Sequence, residues 1–194
     1  GLPEYRGPLN ARVTKTTRRD GFVIDHVLFE SLPQYYVTAN LYRPESAGRH
    51  PAILMSMGHW DSGKAAGQLL SSNLARKGFV VLAYDPVGQG ERQQAYEKRI
   101  GRSLIGGPTE QHLSNGAAAI LLGQSVARYF IHDGMRAIDY LVSRPEVDPD
   151  RIGATGCSGG GTQTTYISAL DPRVKVAAVA CYMNSFQTLF AGSI

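Results

Sequence analysis

The sequence predicts an α/β fold: a mostly parallel sheet entered through an antiparallel N-terminal hairpin, with helices on both faces. Three observations carry this. Short, wholly apolar runs ("PAILMSMG", "FVVLAYD", "VKVAAVACY") read as strands buried on both faces. Segments with helical spacing of apolar residues separate them. A glycine-rich turn, "GATGCSGGGTQTTY", joins a short strand to a helix late in the chain. The 194 residues, 43% hydrophobic and 19% charged, suffice for one domain with a real core.

Residues 1–20 read as a polar N-terminal arm, and 21–194 as one domain. The arm's cluster Lys15, Arg18 and Arg19 lacks aromatic interleaving, and a net charge of +4 is mild. The solvated reading therefore outweighs a nucleic-acid site. No apolar run approaches the ~20 residues that cross a bilayer, and no apolar stretch of signal-peptide type opens the chain. Residues 22–29 and the alternating "QYYVTANLYRP" form the hairpin, turning at Pro33, with Val37, Ala39 and Leu41 on one face. "PAILMSMG" is the first doubly buried strand. The helix "KAAGQLLSSNLARKG" follows, with Ala66, Leu70 and Leu74 inward and Gly78 as its stop. After the strand "FVVLAYD" comes a connection of about thirty residues, 86–115. Its length marks it as functional or mobile, at the sheet edge where open α/β folds bind ligands. Residues 125–143 predict a helix with Ile131, Met135, Ile138 and Val142 inward and an Asp133–Arg136 pair on its surface. "RIGATG" is a strand, 160–170 a helix, and "VKVAAVACY" a last buried strand. The alternation gives βαβ units with right-handed crossovers.

The glycine turn admits three readings. A phosphate loop needs Lys after Gly161, where Thr162 stands. A dinucleotide fingerprint needs glycines at i, i+2 and i+5, and neither register fits. G-x-S-x-G does fit, as Gly156, Cys157, Ser158, Gly159 and Gly160, between a strand and a helix. Such a turn needs glycine two residues before and after the serine, where the backbones approach closely. Ser158 is thus the candidate nucleophile, and the Gly159 N–H, at a helix N-terminus, a candidate oxyanion donor. The loop "MGHWDSGK" offers a second donor at the N–H of His59 or Trp60, with Trp60 preferred. The plainer reading leaves both as rim packing.

The Trp60 ring equally suits stacking on a sugar or packing. Glu91 and Arg92 either touch substrate at the rim or hold their own loop. Cys157 reads as a small residue turned into the core. Cys157 and Cys181 make neither a disulfide framework nor a zinc pattern, and no metal or cofactor is implied.

"VDPDRIGATGCSGGGTQTTYISALDPRVKVAAV", with "YDPVGQGER" and "DGMRAIDYL", resembles the α/β-hydrolase superfamily. The resemblance is to the branch of acetyl xylan esterases, dienelactone hydrolases and prolyl-oligopeptidase-type peptidases. It implies an α/β-hydrolase fold and a serine hydrolase of carboxylic esters. Ser158 would be the nucleophile, Gly159 N–H one oxyanion donor and the His59/Trp60 loop the other. A carbohydrate ester such as acetylated xylan is the implied substrate, with no nucleic acid or membrane partner. Gly159 stands where glucuronoyl esterases carry arginine, which argues against that branch. The rivals are a peptidase of the same fold and a catalytically dead, binding-only domain. The resemblance fits a secreted or a cytoplasmic protein.

One departure is large. The family order is serine, then acid, then histidine. All five histidines (His26, His50, His59, His112, His132) precede Ser158, and Asp171 is the one carboxylate after it. Asp171 reads as a turn residue, His132 as a helix-face residue, and His59 as the nearest stand-in base. The expectation is therefore an N-terminal portion of a hydrolase domain, incomplete at the C-terminus. A complementary segment or chain would supply Asp or Glu and His. The apolar Leu189, Phe190 and Ile194 would want such a partner.

Overall fold

A computed structural model describes residues 1–192. In chain order its strands are β1 (Arg12–Arg19), β2 (Phe22–Leu32), β3 (Tyr35–Pro44), β4 (His50–Ser56), β5 (Val80–Tyr84), β6 (Tyr96–Glu97), β7 (Arg102–Ser103), β8 (Val147–Cys157) and β9 (Val174–Ala180). The helices are α1 (Gln68–Arg76), α2 (Pro108–Leu121), α3 (Ala127–Val142), α4 (Gly159–Leu170) and α5 (Phe186–Ala191). Seven strands form one sheet in the order β1-β2-β3-β5-β4-β8-β9. The first four in that order pair antiparallel, and β5-β4-β8-β9 pair parallel.

The sheet separates two apolar cores. One packs Val27, Phe29, Leu41, Leu54 and Leu82 under α3 and α4. The other packs Phe22, Ile24, Tyr42, Met55 and Val81 under α1. β5 is buried along its whole length, as its apolar run requires.

Several expectations are corrected. The arm does not stay free: Arg12–Arg19 adds to the sheet as an edge strand on β2, and its charged side chains suit an exposed edge. α1 turns Ser71, Ser72 and Ala75 inward, while Ala66 and Leu70 are exposed and Leu74 is half-buried. Residues Gly63–Gly67 form a 3-10 turn; three residues per turn shift the phase a uniform helical period would give. On α3, Ile131 and Ile138 are buried as expected, Met135 is partly buried, and Ala137 and Leu141 take the place given to Val142. Asp133 is buried on Ser31 and Arg92 rather than on Arg136. Arg136 instead pairs with Asp139 at 2.6 Å. Residues 86–115 contain a 3-10 turn, the β6–β7 hairpin and the start of α2. Among the described residues β9 is the outermost strand on its side of the sheet, and Val176 is 69% exposed. Ile194 lies outside the described residues, as does the Phe190 side chain.

Candidate active site at the β8–α4 turn

Ser158 stands between β8 and α4 with φ 57° and ψ −123°. A non-glycine residue rarely adopts such a φ unless its surroundings impose it. Here they do. A Cβ on Gly156 would collide with the Gly160 carbonyl and lie 2.8 Å from the Ser56 carbonyl oxygen. One on Gly160 would collide with the same Ser56 carbonyl. The glycines two before and two after the serine thus let the end of β4 and the start of α4 meet. On the other side the Ser158 N–H donates to the Ala180 carbonyl at 3.0 Å, and a Gly161 Cβ would sit 2.5 Å from that same oxygen. The serine is therefore held between the ends of β4 and β9. Its side chain is exposed, and among the described residues none meets its Oγ within hydrogen-bond distance.

Beside it, the loop after β4 is pinned from two directions. Gln163 on α4 donates to the Met57 carbonyl at 3.0 Å and accepts from the Tyr84 hydroxyl at 2.9 Å. Gln89, 1% exposed, donates from Nε2 to the Gly58 carbonyl at 2.5 Å and to the Trp60 carbonyl at 3.1 Å. Neither Gln89 nor Gln163 has a role that the sequence alone singles out. A lone amide between two glycines at a strand's C-terminal end is the signal that could have found the first.

The Trp60 N–H donates to the Gly58 carbonyl at 2.9 Å, so the preferred second donor is already engaged. The His59 N–H has no acceptor among the described residues. The imidazole of His59 lies against Gly159, with Cε1 2.7 Å from where a Cβ there would stand. The Gly159 N–H opens α4, so no turn of its own helix precedes it to supply an acceptor. Trp60 is 42% exposed, with its ring against Gly58.

Glu91 and Arg92 both hold their own loop, Arg92 from a buried position and Glu91 with its side chain 69% exposed. Arg92 is buried, donating to the Asp85 carbonyl at 2.9 Å and to Asp133 at 2.8 Å, with its guanidinium 5.0 Å from the Tyr35 ring centroid. Glu91 pairs with Lys64, which also reaches buried Asp85 at 2.5 Å. Thr38 donates to Asp85 at 2.6 Å. Close approach explains the glycines here too: Cβ atoms on Gly63 or Gly90, both at positive φ, would strike the Asp85 carboxylate. This ionic knot ties residues 63–64 to residues 90–92. A buried pair of this kind fixes geometry more than it adds stability.

Four of the five histidines are hydrogen-bonded away from Ser158, and the fifth, His59, lies beside Gly159. His26 meets Asn40 at 2.9 Å and His50 the Gly78 carbonyl at 3.1 Å. His132 is buried in the core on the Ser31 carbonyl at 2.9 Å. His112 donates from Nε2 to the Val87 carbonyl at 2.7 Å, with His59 4.9 Å away between ring centroids. Burial is the main cause that holds His112 below its ordinary pKa, and nearby His59 pushes the same way. Asp171 caps the C-terminal end of α4 and pairs with Arg173 at 2.6 Å, a turn residue as expected. No cluster of three or more metal-ligating side chains occurs among the described residues.

A cavity of about 150 Å³ opens beside Gly159, lined by Met57, His59, His112, Phe130, Thr162 and Tyr166. It is largely apolar and has room for a small organic group. Cys157 does not turn into the core. It is half-exposed, and its Sγ lies 3.2 Å from Cys181 Sγ, just past β9.

A mostly parallel sheet with an antiparallel entry and a strained serine between strand and helix is the architecture of an α/β-hydrolase fold. Residues 13–191 match the acetyl xylan esterase (AXE1) family, and the chain belongs to it. It is 29% identical over 197 residues to YtaP of Bacillus subtilis (strain 168), named as a hydrolase, covering 93% of this chain and 59% of that protein. Acetyl xylan esterase 1 from Thermoanaerobacterium sp. JW/SL YS485 superposes with a TM-score of 0.73 at 22% identity, over 94% of this chain and 56% of that one. Methylesterase BT1017 is 31% identical with a TM-score of 0.70, over 88% of this chain and 34% of that one. The chain thus spans between a third and three-fifths of the length of these relatives.

Proposed function

We propose that the complete protein is a serine hydrolase of carboxylic esters carried on carbohydrate, working through an acyl-enzyme on Ser158. Oγ attacks the ester carbonyl, and the developing oxyanion is held by the N–H groups of Gly159 and His59. The alcohol leaves, and water then releases the acid by the same route in reverse. The cavity beside Gly159 fits a small substituent such as acetyl. Trp60, exposed at the edge, supplies a face for a sugar ring. A serine hydroxyl at neutral pH needs a base to take its proton. No histidine here reaches it, so the reading places that base and its carboxylate on a complementary segment or second chain.

The observation that carries this reading is the backbone of Ser158. A positive φ at an exposed serine, enforced by two colliding glycine positions and by the ends of β4 and β9, is strain with no structural use of its own. The test is labelling of the full-length protein with a fluorophosphonate. The wild type should be labelled on Ser158 and Ser158→Ala should not. Unlabelled wild type would overturn the nucleophile assignment and favour a binding-only domain. Acetate release from acetylated xylan, set against methanol release from a methyl-esterified polysaccharide, then separates the two ester types named for the relatives.

A further inference from the structure

We infer that Cys157 and Cys181 form a redox-active pair that closes to a disulfide bracing the turn that carries Ser158. The two Sγ atoms lie 3.2 Å apart, although the residues are 24 positions apart in sequence. Forming the bond, about 2.0 Å long, closes only the remaining gap. Among the described residues both are free cysteines, and neither lies in an apolar interior: Cys181 is exposed and Cys157 half-exposed. A structural cysteine packed as a small hydrophobe has no need of a sulfur facing it.

The position gives the pair a consequence. The Ser158 N–H donates to the Ala180 carbonyl at 3.0 Å. Cys157 directly precedes the donor and Cys181 directly follows the acceptor. A covalent bond between them lies beside the hydrogen bond that fixes the serine backbone. Cys181 also holds a positive φ of 59°, so the chain is bent at both ends of the link.

The chemistry is thiol–disulfide exchange with a low-molecular-weight disulfide, RSSR. Cys181 is the more exposed thiol and accepts the Cys157 S–H as a hydrogen bond. As the thiolate, its Sγ attacks one sulfur of RSSR, forming Cys181–S–SR and releasing RS⁻. Cys157 then gives its proton to solvent and attacks Cys181 Sγ. The Sγ–Sγ bond forms, the bond to SR breaks, and a second RS⁻ leaves. The protein loses two electrons and two protons, and RSSR becomes two RSH. The hydrogen bond to Cys181, and after it burial, hold the Cys157 thiol above its ordinary pKa. That order suits Cys157 as the second thiol to react.

The test takes the full-length protein, incubates it with glutathione disulfide, alkylates remaining thiols and digests with trypsin without reduction. Peptide 152–173, carrying Cys157, should be recovered linked to the peptide that begins at Val176 and carries Cys181, and a reductant should separate them. In Cys157→Ser and Cys181→Ser the linked peptide should vanish, and the remaining cysteine should carry one glutathione. Recovery of both cysteines alkylated in the wild type would overturn the inference, and so would either one linked to another thiol of the protein. The brace is read by heating oxidised and reduced protein and measuring fluorophosphonate labelling of Ser158. The oxidised form should keep its label several degrees higher, and equal temperatures would overturn the brace. This readout rests on the nucleophile reading, whereas the peptide map does not. Absence of label in both forms would count against the nucleophile alone.

Discussion

Replacing Gln89 with leucine tests whether the loop after β4 is held in place for catalysis. The side chain is 1% exposed, and its amide donates to two carbonyls that flank His59 in sequence, those of Gly58 and Trp60. Leucine has a similar volume and no donor. The Gly58 carbonyl keeps the Trp60 N–H and the Trp60 carbonyl keeps the Gly63 N–H, both at 2.9 Å, so leucine removes two hydrogen bonds, each worth about 0.5–1.5 kcal/mol net. Part of that appears as lost stability and part as freedom of the loop. On the proposed reading, the His59 N–H then no longer waits where the oxyanion would develop. Loss of one preorganised donor costs about 100- to 1,000-fold in kcat, and displacement of its loop should approach the lower figure. In steady-state hydrolysis of a small acetate ester by the full-length protein, kcat should fall about 100-fold with KM nearly unchanged. Ground-state binding does not use that donor. Gln89→Glu should fall as well, because a carboxylate cannot donate to a carbonyl. A folded Gln89→Leu protein with kcat within about threefold of wild type, against the hundredfold expected for a lost donor, would refute the reasoning.

Three further outcomes follow from the same geometry. Ser158→Gly should abolish labelling yet raise Tm, because backbone strain of about 1–3 kcal/mol is relieved and glycine's added unfolded-state entropy offsets only part of it. Gly156→Ala should lower Tm sharply, since its methyl meets the Gly160 and Ser56 carbonyls, which are backbone atoms that cannot rotate away. Overpacking of this kind costs about 1–3 kcal/mol or more, and an unchanged Tm would contradict the close approach. Stability should also fall as the solution is acidified below the unfolded histidine value near 6.5. Burial first of all lowers His112 and His132 in the fold, so the unfolded chain takes up their protons first. His112→Gln should flatten the Tm profile between about pH 7 and pH 5 if this linkage operates.

Much of the architecture was legible because its signals are local. Wholly apolar runs placed β4 and β5, and G-x-S-x-G between strand and helix placed Ser158 with its two close-approach glycines. What the sequence hid depends on phase and on distant partners. A single 3-10 turn moved the buried face of α1 from Leu70 to Ser71 and Ala75. β9 is as apolar as a central strand, and among the described residues no further strand pairs with its outer side. Glu91 and Arg92 carry the polarity of a substrate rim, but their partners Lys64, Asp85 and Asp133 come from elements far apart in the chain. The engagement of the Trp60 N–H by Gly58 is a turn geometry that residue identity alone does not announce.

The clamp on Ser158 also bears on the order in which the protein can mature. The serine's dihedral angles are imposed by Ser56, about a hundred positions earlier, and by Ala180, twenty-two positions later. Nothing in its immediate neighbours would hold it there. On the ribosome the segment 153–166 therefore emerges relaxed. It can take up its positive-φ shape only after Ala180 has been synthesised and laid beside β8. A nascent chain halted short of that residue would carry every atom of the motif and still present an ordinary serine.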